Sequence, residues 1–130
     1  MYCLDTNIFV DILRGDLKLI EKIEDLLNAG TPLFLSPISL CELCRGAYGH
    51  ANAKEKLMQL NNLVSYFEIL EFDVSTCHEF GRMHTLLKRS GKTASEFDLL
   101  IAVSAKVHDL ILITRDNKGF EHTGVKLEVW

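Results

Sequence analysis

The sequence predicts an α/β protein, a sandwich in which helices flank a mostly parallel sheet. Three observations lead there. Short apolar runs, long enough for buried strands, recur along the chain. Stretches of helical hydrophobic spacing separate them, and strands alternating with helices are the pattern of parallel sheets. The chain has 130 residues, 48% of them hydrophobic and 25% charged, which suits a single compact domain over residues 1–130.

The elements follow in order. Tyr2–Leu4 is a first strand that ends at Asp5. Asn7–Leu13 carries Ile8, Phe9, Ile12 and Leu13 at helical spacing and stops at Gly15. Asp16–Asn28 repeats that period and closes at Gly30. Leu33–Leu35 is a second strand. Ser36 followed by Pro37 is a capping residue ahead of a proline at the first helical position, so a helix runs from there to about Ala47. Another covers Asn52 to Val64. Phe67–Leu70 is the third strand, and Val74–Lys88 a long helix. Ser95 opens a last helix whose Leu99–Val107 portion is apolar almost all round and therefore buried. Leu110–Thr114 and Val125–Val129 are strands four and five.

Composition excludes several classes. The chain is neither disordered nor collagen-like, and a core of this size needs no staples. Lys106, His108 and Asp109 interrupt the most apolar stretch, Leu99 to Ile113, so no membrane span is expected. No basic start with an apolar run precedes Asp5, so no signal peptide is expected and a cytoplasmic protein is. Fourteen Lys and Arg against eighteen Asp and Glu give a net charge of −4, which argues against nonspecific coating of nucleic acid. It does not argue against a nuclease, because bound cations and local basic patches reverse the local field. Cys3, Cys41, Cys44 and Cys77 are read as reduced thiols. Cys41 and Cys44 make a CxxC, but a zinc site needs a second close pair, so they are expected to be ordinary core residues.

Ligands of parallel sheets bind beyond the carboxyl ends of the strands, and four acids belong near that edge. Asp5 ends strand one, and Asp116 lies two residues after strand four. Glu42 sits within the apolar helix after strand two. Asp98 opens the buried helix that feeds strand four, with Glu96 two residues earlier. Each has a structural alternative. Asp5 can cap a helix, Glu42 can be a solvated helix residue, Ser95-x-x-Asp98 and Thr93-x-x-Glu96 fit capping boxes, and Asp116-Asn117 fits a turn. Taken together, acids inside the apolar runs Leu40–Leu43 and Phe97–Val103 need compensation for their charge. Carboxylates converging on one edge raise one another's pKa. A divalent cation relieves that, and oxygen ligands without a nearby His or Cys favour Mg²⁺ or Mn²⁺ over zinc.

These residues also carry a resemblance. Leu4-Asp5-Thr6-Asn7, Asp11-Ile12-Leu13-Arg14-Gly15, Ser39-Leu40-Cys41-Glu42-Leu43 with Arg45-Gly46-Ala47, Asp98-Leu99-Leu100-Ile101-Ala102, and Leu112-Ile113-Thr114-Arg115-Asp116-Asn117 follow in order over the whole chain. The sequence resembles the PIN-domain ribonucleases, specifically the VapC-type toxins of toxin–antitoxin pairs. The resemblance implies a PIN-like three-layer sandwich around a five-stranded sheet. It implies that Asp5, Glu42, Asp98 and Asp116 are a catalytic, metal-holding quartet, with Thr6, Asn7 and Thr114 in support. Asp116 corresponds to the family's most variable acid. The stretch Thr93–Phe97 departs from the family's usual isoleucine and acidic or amide residue before the third acid, which leaves Glu96 as an auxiliary acid.

By the same resemblance the activity is Mg²⁺- or Mn²⁺-assisted hydrolysis of RNA, leaving a five-prime phosphate and a three-prime hydroxyl. The implied partners are the RNA substrate, a cognate VapB-type antitoxin inserted beside the acids, and a second copy in a homodimer. Phosphate contact needs cations, and Arg14, Arg82, Lys88, Arg89, Lys92 and Arg115 are the candidates; a solvated helix face explains several of them equally well. Two other classes compete: a receiver-like Mg²⁺-binding regulatory module, and a degenerate PIN or RNA-binding module without catalysis.

Overall fold

The computed structural model describes residues 1–130 as a five-stranded, wholly parallel sheet with six helices. In chain order the elements are β1 (Tyr2–Leu4), α1 (Thr6–Leu13), α2 (Leu17–Asn28), β2 (Leu33–Leu35), α3 (Pro37–Tyr48) and α4 (Ala53–Val64). Then come β3 (Glu68–Ile69), α5 (Val74–Arg89), α6 (Glu96–Val107), β4 (Ile111–Thr114) and β5 (Lys126–Val129). The strand order is β3-β2-β1-β4-β5. The chain therefore walks outward from β1 to β3, then returns to the other side of β1 to lay down β4 and β5. The strand order reverses between β1 and β4, and the crevice there is where parallel sheets bind ligands.

Alternation along the strands sorts their side chains into two cores. Leu4, Leu33, Leu35 and Ile113 face one side, where they meet Ile8, Phe9, Leu19, Ile23, Leu43 and Leu60 from α1 to α4. Cys3 and Leu112 face the other, against Ile101, Ala102 and Ala105 of α6. Helix α5 packs on α6 through Met83, Leu87, Leu99 and Val103. This is the three-layer sandwich expected. Residues such as Leu4, Phe9 and Ile113 are fully buried, and each such side chain contributes about 1.5–3 kcal/mol through its removal from water.

The Ser36–Pro37 helix start works as the sequence predicts, and two further caps appear in the structure. The Ser36 hydroxyl accepts from the Ile38 amide at 3.2 Å with Pro37 behind it. Asp16 caps α2 through the Leu19 amide at 3.1 Å, and Asp73 caps α5 through Thr76 at 3.1 Å. Three strands are shorter than the apolar runs that predict them, β4 by one residue because it begins at Ile111 and not Leu110. β3 keeps only Glu68 and Ile69, both exposed at the sheet edge, because the flanking Phe67 and Leu70 turn inward to the two cores. β5 begins at Lys126, not Val125. The short β3 also disposes of the receiver-like reading: the acid after it, Asp73, is exposed and engaged as a helix cap.

Candidate active site

The site grows from the pairing of β1 with β4. Their register sets Leu4 opposite Ile113, and the Asp5 amide continues the ladder by donating to the Ile113 carbonyl at 2.8 Å. The next residue on each strand is then Asp5 on one and Thr114 on the other. The Thr114 hydroxyl donates to Asp5 Oδ2 at 2.8 Å, and the Thr6 amide donates to Asp5 Oδ1 at 2.7 Å. Asp5 thus caps α1 and serves the site with the same side chain. The structural and functional alternatives for it are not exclusive. It is only 5% exposed.

Burial is the main reason that the Asp5 carboxyl titrates at about 6, well above the usual carboxylate range. The hydrogen bonds from Thr114 and Thr6 pull the other way, and the negative charges of Asp98 and Glu42 push it up further. Both acids therefore lie within the field of Asp5, as converging carboxylates should. They are half-buried rather than buried. The cost of burying a charge accordingly falls chiefly on Asp5, and the expectation that their apolar runs enclose Glu42 and Asp98 is corrected: Leu43 and Leu99 turn inward, while both acids keep part of their surface in solvent.

Glu42 is tied to the same edge by Thr6, whose hydroxyl donates to Glu42 Oε1 at 2.7 Å. One helical turn earlier, Ser39 is fully buried and its hydroxyl has no hydrogen-bond partner. Asn7 braces the far side of Thr114. Its amide nitrogen lies 3.4 Å from the Thr114 hydroxyl, and its carbonyl oxygen accepts from the Arg115 amide at 3.4 Å. Asp98 stands in the first turn of α6, where Ser95 caps its amide at 3.1 Å. The cap is Ser95, so Thr93 is not the capping residue and Glu96 is an exposed first-turn residue.

Asp116 is arranged differently. It is exposed, and its carboxylate accepts from the Lys118 amide at 3.0 Å. The side chain closes its own turn, as the Asp-Asn pair allows. Its backbone is what meets the site: the Asp116 carbonyl lies 3.0 Å from the Thr114 hydroxyl, and the Asp116 amide donates to that hydroxyl at 3.3 Å. Thr114 has one proton, and the shorter contact, to Asp5, is the one that it serves.

Two features of the site escaped sequence reasoning. Gly119 lies against Asp98, so that a Cβ there would meet Asp98 Oδ2 at 2.5 Å. Arg115, a candidate for RNA contact, is bound internally. Its Nε donates to Asp11 at 2.9 Å and its Nη2 to Asp16 at 2.6 Å, joining the turn after β4 to α1 and α2. Asp11 belongs to a motif block that sequence analysis singled out, but nothing in its spacing reveals a partner more than a hundred residues away. Arg82 is likewise paired with Glu79 at 2.6 Å. Arg14, Lys88, Arg89 and Lys92 have no carboxylate partner. Arg14 shares a groove with Thr6 and Glu42. Lys88 and Lys92 line a pocket of about 360 Å³ that reaches Leu99, the neighbour of Asp98.

The donor set suits a hard divalent cation. No three His, Cys, Asp or Glu side chains stand close enough to form a ready-made cage, and a structural zinc centre takes four such ligands. Cys44 packs against the core and Cys41 is exposed, so only one of the pair is the core residue expected. Mg²⁺ makes no demand for a cage. It keeps several waters and is held by one or two carboxylates together with substrate phosphate, and a buried carboxylate in the field of two others supplies that.

Fold and site together define the class. Residues 2–126 match the PIN domain family. Over its full length the chain is 30% identical to ribonuclease VapC1 of Haemophilus influenzae strain R2866, covering 98% of that protein. It is 28% identical over 99% of its length to the tRNA(fMet)-specific endonuclease VapC of Shigella flexneri, covering 97% of it. The fold superimposes on a chain of VapBC2 from Rickettsia felis, solved bound to a DNA fragment from their promoter. The TM-score is 0.92 and the identity 27%, over 99% of this chain and 98% of that one. The chain belongs to the PIN-domain family, among its VapC-type ribonucleases of toxin–antitoxin systems.

Proposed function

We propose that residues 1–130 act as one PIN domain in the cytoplasm, hydrolysing an RNA phosphodiester with Mg²⁺ or Mn²⁺ held by Asp5, Asp98 and Glu42. The observation that carries this is Asp5: buried at the strand-order reversal, hydrogen-bonded by Thr114, and forced upward in pKa by burial and by two neighbouring acids. Such a group is costly to the fold unless a cation shares its charge. When bound, the cation supplies a water nucleophilic at neutral pH and offsets charge on the phosphate. Thr114 and the Thr6 amide hold the Asp5 carboxylate in one orientation, and Thr6 holds Glu42 beside it. Asp116 acts chiefly through the backbone turn that braces Thr114, and Glu96 remains outside the site.

The RNA approaches over Arg14 on one flank and Lys88, Arg89 and Lys92 on the other; Arg82 and Arg115 serve the fold. An antitoxin of the VapB type competes for the groove beside Glu42, whose floor includes Val10, Leu13, Leu43 and Leu60, and two copies associate as a homodimer. Cleavage of total cellular RNA by the purified chain, with Mg²⁺ or Mn²⁺ against EDTA and beside Asp5→Asn, tests the reading. Metal-dependent cutting absent from the variant is expected. Equal inertness of both proteins with metal present would leave a PIN module that binds without catalysis.

A further inference from the structure

Beside the acids stands an aromatic ring that the core does not use. Phe97 is 41% exposed, whereas Phe9, Phe67 and Phe120 are buried in the packed clusters, Phe34 and Phe80 pack against them, and Phe72 is half-buried. An exposed phenylalanine in the first turn of a helix contributes nothing to capping or to helix propensity. Its position is particular: it directly precedes Asp98. Across from it, the Arg45 guanidinium lies 5.6 Å from the ring centroid. Arg45 stands one turn beyond Glu42 on α3, is exposed, and has no carboxylate partner. The pair therefore spans from the helix that carries Glu42 to the helix that carries Asp98.

We infer that Phe97 and Arg45 form a nucleotide clamp at the edge of the carboxylates, with the base next to the scissile phosphate stacked on the Phe97 ring and Arg45 on the adjoining phosphate. The inference rests on the ribonuclease reading and specifies how the strand is seated. Single-stranded RNA is recognised by unstacked bases laid on aromatic rings and guanidinium planes, and every base offers a π-face. The ring is wide enough for one base and is reachable from solvent. Arg45 already lies on it, so the guanidinium needs only a side-chain rotation to exchange the ring for a phosphate. The clamp would select unpaired positions in an RNA, since a base held in a duplex cannot reach the ring.

The test uses the full chain and two readouts. One is Mn²⁺-dependent turnover of total tRNA by wild type, Phe97→Tyr, Phe97→Leu and Arg45→Gln. The other, in EDTA, is fluorescence quenching of 2-aminopurine in a single-stranded RNA of about twelve nucleotides, within the span that such sites cover. Phe97→Leu is expected to raise KM about tenfold or more with kcat little changed, and to abolish quenching, while Phe97→Tyr retains both. Arg45→Gln should lower the salt dependence of binding by about one unit of slope. Wild-type KM and quenching in Phe97→Leu would overturn the clamp. So would a KM rise that merely follows a changed sedimentation coefficient, which would assign Phe97 to an interface between copies. If Phe97→Leu does not fold, Arg45→Gln decides: an unchanged salt slope overturns the clamp. If wild type cuts nothing, the ribonuclease reading fails, and quenching alone then accepts or rejects the clamp.

Discussion

One hydroxyl carries much of the site. Thr114 gives its only proton to Asp5 and accepts from Asn7 and from the Asp116 amide, so a single side chain sets the orientation of the Asp5 carboxylate and the course of the turn after β4. Thr114→Val should leave a buried carboxylate oxygen without its donor, which costs about 1–3 kcal/mol. The hydrogen bond lowers the Asp5 pKa, so its loss should move the acid limb of the pH–rate profile to higher pH. Thr114→Ser should restore both, and a Val variant with an unchanged pH–rate profile would show that the hydroxyl does not tune Asp5. Gly119 makes a second demand at this scale. A methyl group there cannot coexist with the present position of Asp98 Oδ2, so Gly119→Ala must swing the Asp98 carboxylate aside. Because the clash falls on the far end of a half-buried side chain and not on backbone, the expected outcome is a loss of cleavage of about tenfold or more with little change in melting temperature. A large fall in melting temperature would place the clash in the fold instead. Asp5 was legible in the sequence because a strand end in a parallel sheet announces its own position. Gly119 was not, because its meaning lies in a loop folding back on a helix some twenty residues earlier, which no local spacing records.

At the scale of elements, ion pairs fasten joints that packing leaves loose. Arg115 ties the turn after β4 to α1 and α2 through Asp11 and Asp16, and Glu79 ties α5 to α6 through Lys106 at 3.0 Å while also pairing Arg82. The Glu79 carboxyl lies at about 2, chiefly through the hydrogen bond from Arg82, with Lys106 adding to it. Its pKa is depressed in the folded chain, so its stabilisation is complete above the ordinary carboxyl value of about 4.5 and disappears as pH falls through about 2. The partners are partly exposed, Arg82 by 58%, so solvent screening leaves the pair only a small contribution. Glu79→Gln should lower the urea midpoint slightly at neutral pH, and the gap should close in strong acid; a constant gap would mean that packing, not charge, is lost. The elements themselves were largely readable, because caps such as Ser36-Pro37 and the apolar periods of α2 and α6 act locally. β3 was overestimated because Phe67 and Leu70 are apolar for the cores, not for a strand. The ion pairs at Arg115 were invisible, since they join residues far apart in the chain.

The whole molecule places its least tolerable charge where its strand order reverses. Parallel strands bring Asp5 to the carboxyl edge, α3 and α6 bring Glu42 and Asp98 into its field, and a chain already at net charge −4 offers no general relief. The consequence is a stability that depends on pH and on cations together. Asp5 moves from an ordinary 3.8 to about 6 in the folded state, so the fold favours its protonated form. Below about pH 4 Asp5 is protonated in both states and carries no penalty. As pH rises towards 6 the folded state is progressively disfavoured, and above that the full cost applies, up to about 3 kcal/mol from the shift. In EDTA, Asp5→Asn should therefore melt higher than wild type at about pH 7.5, and the advantage should vanish near pH 4. Comparing the two proteins cancels the titration of the carboxylates outside the field of Asp5. Mg²⁺ should raise the melting temperature of wild type at neutral pH, since a ligand that binds only the folded state stabilises it, and should do much less for the variant. Scanning calorimetry at the two pH values, with and without Mg²⁺, decides it. An Asn variant that is no more stable than wild type at neutral pH would mean that the hydrogen bonds from Thr114 and Thr6 already satisfy an ionised Asp5. The protein would then have no thermodynamic need of a cation, and the metal would have to be sought through substrate phosphate rather than through the cost of ionising Asp5.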